Sequence, residues 1–141
     1  GATYGYTSPG AGQATTAVGL LCRMYMGWKK EEPALQRGVA QLAKWGPSKG
    51  NMYFNYYATQ VMRHTGGKQW DVWNKELRDY LVGSQEKGNG HSSGSWAIGS
   101  DHGARSGGRL YTTTLATMIL EVYYRHMPIY AAQAAEDEFP L

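Results

Sequence analysis

Apolar positions along the chain fall into two alternating patterns. Over 14–28, Ala14, Ala17, Val18, Leu20, Leu21, Met24, Tyr25 and Trp28 leave no wide polar face at helical spacing, and a helix of that kind is buried on several sides. Over 33–45, Leu35, Val39 and Leu42 make one stripe, with Gln36, Arg37, Gln41 and Lys44 on the other faces. That helix belongs on the outside. Phe54, Tyr57, Ala58, Val61 and Met62 form a second dense helix, and Trp70, Trp73, Leu77, Tyr80 and Leu81 a second stripe. Leu115, Met118, Ile119, Leu120 and Val122 open a third dense helix. The pattern predicts an all-α fold of two layers.

Turn and cap residues divide the chain into one domain of about five to six helices over 1–141. Residues 1–13 are a Gly/Ser/Thr/Pro-rich lead-in, and the first helix is expected to close near Gly27. Pro33 suits the first turn of the second helix, where no amide proton is needed. Asn51 is an N-cap for the third, and Gly66-Gly67 stop it. Residues 14–82 thus hold two helix pairs, with the fourth helix beginning near Gln69. A long Gly-rich loop is expected over 83–109, a further inner helix in the segment 110–130 that runs from about Leu110 to His126 and is stopped by Pro128, and an acidic tail over 131–141. Loops of that length are uncommon and often functional.

Composition narrows the class. A chain of 141 residues is large enough for a real core. Eleven Tyr against two Phe suit packing walls that are partly polar. The net charge of +3 comes from scattered basic residues, which disfavours nucleic-acid binding. No apolar run approaches the ~20 residues of a membrane span, and no signal peptide opens the chain. A start at Gly1-Ala2-Thr3 without methionine reads as cut from something longer, so no compartment is assigned. The single Cys22 lies in a dense helix and is expected to be a small buried hydrophobe.

The segments resemble one another. Thr16-Ala17-Val18-Gly19-Leu20-Leu21 lies over Tyr57-Ala58-Thr59-Gln60-Val61-Met62 and over Leu115-Ala116-Thr117-Met118-Ile119-Leu120, while Gly38 to Leu42 matches Leu77 to Leu81. Helix pairs repeating at about 40 residues indicate an α/α repeat array. Leu81-x-x-x-Gln85 followed by Gly94-Ser95-Trp96 resembles the QW motif of squalene and hopene cyclases, in which a Gln near an outer helix's end meets a downstream Gly-Ser-Trp. Glu86 to Ser93 lengthen the interval, and the first repeat keeps only Arg37-Gly38 and Leu42 before departing at Lys44-Trp45-Gly46. From about Gly12 to Tyr130 the chain looks like the prenyltransferase and squalene-cyclase repeat family, which implies part of an α/α toroid.

The chemistry of that family does not follow the architecture here. The chain has neither the Asp-x-Asp-Asp run nor the Asp-Cys-Thr-Ala-Glu run of the cyclases, and no thioester sequence surrounds Cys22. Prenyltransferase-type zinc ligation is not expected either, because Cys22 has no suitably spaced acid. No metal or cofactor is predicted.

The family's geometry would place a site at the N-terminal ends of the inner helices. Tyr53, Tyr56, Trp96, Arg105, Arg109 and Tyr111 are the candidate ligand-binding residues, and helix N-termini with two arginines suit an anion or an amphipathic molecule with an anionic head. Asp101-His102 and Glu121 are the weak catalytic candidates. Adjacent residues rarely converge on one point, and Glu121 has Arg125 one turn away for an ion pair. His64 and His126 are expected to cap helix C-termini as cations. The favoured function is a non-catalytic binding or assembly module, with a protein partner or a second copy on the inner apolar face. The alternative is a lyase or terpenoid-cyclase-like enzyme acting on an isoprenoid or polysaccharide.

Overall fold

The computed structural model describes residues 1–131; the acidic residues Glu136, Asp137 and Glu138 lie outside them. It is all-helical, with α1 (Gln13–Tyr25), α2 (Pro33–Trp45), α3 (Met52–Thr65), α4 (Gly67–Ser84) and α5 (His102–Arg125). The third helix is the centre, because α3 packs against each of the other four. α1, α3 and α5 lie side by side as an inner layer, with α2 over α1 and α3 and α4 over α3 and α5. α2 and α4 line shared clefts on that side through Val39, Gln69, Ala43 and Trp73. The expected two layers are present.

Local chemistry explains the boundaries. Pro33 stands at the start of α2. The Asn51 side chain accepts the Phe54 N–H and caps α3. Gly66 takes φ 68° at the end of α3, a conformation that costs a side chain with Cβ steric strain. Gly67, also at positive φ, then opens α4 immediately, two residues before the predicted start. α1 ends at Tyr25, also two residues short of prediction.

The core is aromatic at its middle. Phe54, fully buried, meets Trp45 and Trp73 edge-to-face at 6.4 Å and 5.9 Å, the arrangement that ring quadrupoles favour. The Trp73 indole donates to Thr59 Oγ1 at 3.0 Å, so its polar edge is satisfied inside the core. Gly38 lets α2 approach α1: a Cβ there would stand 2.5 Å from Leu20. The lead-in also packs, with the Tyr4 amide donating to Thr16 Oγ1 at 3.0 Å.

The dense helices differ in burial. α3 is buried along most of its length, with Tyr53 exposed near its start, while α1 exposes Tyr25 and α5 exposes Leu110, Tyr123 and Tyr124. Cys22 is exposed, against expectation. The all-round apolar character of α1 overstates its burial because a helix at the edge of a layer has a neighbour on only one flank.

The predicted 83–109 loop is shorter than expected. α4 runs to Ser84, and α5 already starts at His102, with a break in helical geometry at Gly108 (φ 60°, ψ −150°). The glycine-rich composition hid a turn of helix that Asp101 caps from its N-terminus. Gly103 and Gly107 sit beneath the Tyr111 side chain, where a Cβ on either would come within 2.5 Å of it. These two glycines serve a close approach inside a helix.

Candidate functional site

Gln85 at the end of α4 reaches Gly94 of the downstream Gly-Ser-Trp, while Trp96 reaches back into α4. Gln85 Nε2 donates to the Gly94 carbonyl at 2.8 Å, and the indole of Trp96 donates to the Leu81 carbonyl at 2.8 Å. Backbone bonds between Glu86 and Ser95 and between Gly94 and Glu86 close the loop. Buried Trp96 thereby adds a second donor to the Leu81 carbonyl in the last turn of α4, which also accepts the Gln85 backbone N–H at 3.1 Å. Its amide donates to Thr113 Oγ1 on α5 at 3.2 Å. Trp96 therefore fastens α4 to α5 and is not a wall of an open site.

Asp101 is a structural cap on two helices. Its Oδ1 accepts the Ala104 N–H at 2.9 Å, and its Oδ2 accepts the Met52 N–H at 3.0 Å. The carboxylate is buried at the joined N-termini of α3 and α5, where a negative charge is favoured by both dipoles. His102, the first residue of α5, is exposed. The pair does not form an oriented acid and base.

Arg109 is also engaged: Nη1 donates to Ser95 Oγ at 3.0 Å and lies 3.6 Å from Glu86. Arg105 is exposed. Glu121 is half exposed and lies 3.6 Å from Arg125. This ion pair, rather than a buried acid, is its place in the fold.

The tyrosines do come together. Tyr53 and Tyr57 meet edge-to-face at 4.8 Å, and Tyr56 and Tyr57 at 5.1 Å. Burial, a hydrogen bond with Tyr53 and the nearby phenols push the Tyr57 hydroxyl up to about 12. Burial and then the Asp101 carboxylate raise that of Tyr111, with smaller effects from Tyr53 and Tyr57. The Tyr111 hydroxyl is buried without a well-aligned hydrogen-bond partner, although the carboxylate is close enough to perturb it. Tyr53 is 41% exposed and Tyr25 58% exposed. Cys22 lies close enough to affect Tyr57. The sequence points to Tyr53, Tyr56 and Tyr111 on this face, and the structure adds exposed Tyr25 beside Tyr56 and exposed Cys22 beside Tyr57.

His64 is placed differently from expectation. It is 3% exposed, and burial, with His126 and Arg63 beside it, lowers its pKa to about 4. It is a neutral ring in the core and not a cation on a helix dipole. Burial and Arg125 lower the pKa of His126 as well. Among the described residues no group of three or more His, Cys, Asp or Glu side chains is arranged to hold a metal ion, and no helix is long and apolar enough to cross a membrane.

Comparison with protein-family models, curated proteins and solved structures finds no match.

Proposed function

We propose that the chain is a non-catalytic binding or assembly module of a larger repeat protein, similar in architecture to an arc of a prenyltransferase and squalene-cyclase toroid. One observation carries this reading: the acids nearest the inner layer are engaged in structure, while two tyrosines of that layer remain open. Asp101 caps α3 and α5, Glu121 pairs with Arg125, and Tyr25 and Tyr53 stand exposed. Phenol rings combine a large apolar area with a polar tip, which suits an amphipathic ligand or a protein segment. The joined Gln85, Gly94 and Trp96 support the family likeness, and the layering of α1, α3 and α5 beneath α2 and α4 supports the helix-pair repeat. The lyase or cyclase alternative would draw its acid or base from Asp101, His102 and Glu121; both carboxylates are engaged in structural contacts, which leaves only the exposed His102.

The exposed Cys22 is the only cysteine and gives a reporter beside Tyr57. An environment-sensitive fluorophore on Cys22, titrated with dodecyl phosphate below its micellar concentration and with farnesol, should show a saturable blue shift with at least one of them. Tyr53→Ser with Tyr57→Ser should weaken that binding about tenfold, the size of one well-buried aromatic contact. No response to either probe, together with a monodisperse monomer in light scattering, overturns the reading.

A further inference from the structure

The end of α3 carries a junction of three segments. His64 Nδ1 accepts the Ile129 amide N–H at 3.3 Å, which places the proton of the neutral ring on Nε2. Nε2 faces the Tyr25 hydroxyl of α1 at 3.5 Å, and the two rings meet edge-to-face at 5.8 Å. The next residue along, Tyr130, donates its hydroxyl to the Trp28 carbonyl at 2.8 Å. Successive residues after α5 are thus tied to the ends of α3 and α1.

The surroundings of this ring are poor in acids. Tyr25 faces it from α1, Arg63 adjoins it on α3, and the His126 ring stands 6.0 Å away at the end of α5, beside Arg125. Lys29, Lys30 and Glu31, from the link after α1, line the adjoining cleft. Glu31 is the one carboxylate among its described lining residues. A proton on Nδ1 would turn an acceptor into a second donor pointed at the Ile129 N–H. That bond cannot survive the change, and no described carboxylate contacts the ring to compensate.

We propose that His64 is a proton-operated latch: its neutral ring holds residues 128–130 across the ends of α1 and α3, and protonation releases them and widens the cleft beside Arg63 and Trp70. This cleft, open to solvent, already has a volume of about 640 Å³. A released ring regains the ordinary imidazole value near 6.5, whereas the latched ring titrates at about 4. The latch is fully closed above the higher value and weakens as pH falls from there to the lower one. Below that it loses no more. Over the whole window the ratio of released to latched forms rises by up to about 300-fold.

Amide hydrogen exchange on the full chain tests this. Normalised for intrinsic chemistry, Ile129 protection should fall tenfold or more between pH 7 and 4.5 while Ala58 in α3 stays protected. His64→Phe, which cannot accept the bond, should leave Ile129 unprotected at pH 7 with no pH dependence. His126→Gln should retain the pH dependence. Ile129 protection unchanged with pH, loss of Ile129 and Ala58 in a single step, or abolition of the response by His126→Gln overturns the proposal. The wild-type and His126→Gln arms decide the matter even where His64→Phe does not fold.

Discussion

Removal of the Asp101 carboxylate should destabilise the domain far more than its position at a loop end suggests. Its two oxygens accept the Met52 and Ala104 amides at 3.0 Å and 2.9 Å, so Asp101→Ala leaves both N–H groups without that acceptor. An N-cap loss costs about 0.5–2 kcal/mol, and a hydrogen bond to a charged group contributes about 1.5–3 kcal/mol. Here two helices share one cap, and the side chain is buried. The total should be about 2–4 kcal/mol, a large part of the roughly 5–15 kcal/mol that holds a typical domain together. Asp101→Asn keeps one acceptor oxygen and turns an amide NH₂ toward the second donor, so about half the loss is expected. Urea unfolding followed by tryptophan fluorescence measures both variants. With a slope of about 2 kcal/mol per molar urea, the midpoint should fall by about 1–2 M for Asp101→Ala. A change below ~0.5 kcal/mol for Asp101→Ala would refute the shared-cap argument and return this carboxylate to the catalytic candidates.

Trp96→Phe removes the indole N–H that meets the Leu81 carbonyl and should cost about 1–2 kcal/mol, read as a thermal midpoint lower by several degrees; an unchanged midpoint would contradict its role as a fastener. Gly38→Ala places a Cβ 2.5 Å from Leu20 and 2.7 Å from the Ala2 carbonyl, and overpacking of this kind should destabilise by about 1–3 kcal/mol. Equal stability of that variant in chemical denaturation would show that the α1 and α2 contact yields freely. Glu121→Gln breaks a half-exposed ion pair and should change stability by less than about 0.5 kcal/mol; a loss above 2 kcal/mol would mean that the carboxylate is structurally buried after all.

Much of the architecture was legible in the order of residues. The stripe of Leu35, Val39 and Leu42 and the dense run from Phe54 to Met62 report helix type and layer, because burial acts at fixed helical spacing. Pro33 and Asn51 mark helix starts through chemistry confined to one turn. Gln85 also finds its partner Gly94 close along the chain, whereas Trp96, expected at a ligand site, is buried against α4.

The errors share a different cause. The start of α5 at His102 was missed because its first turn is glycine-rich, and the cap that anchors it gains its second bond from Met52, far away in sequence. Cys22 and Tyr25 sit on a helix whose composition reads as buried, yet the layer leaves one of its flanks uncovered. His64 appeared as a terminal cation until packing enclosed it against Tyr25 and Ile129. Sequence alone determined which segments form helices and which of them need cover, through local spacing and caps. Tertiary structure decided which flank receives that cover, and so which carboxylate, thiol or imidazole is buried, because exposure and charge depend on neighbours that chain spacing does not specify.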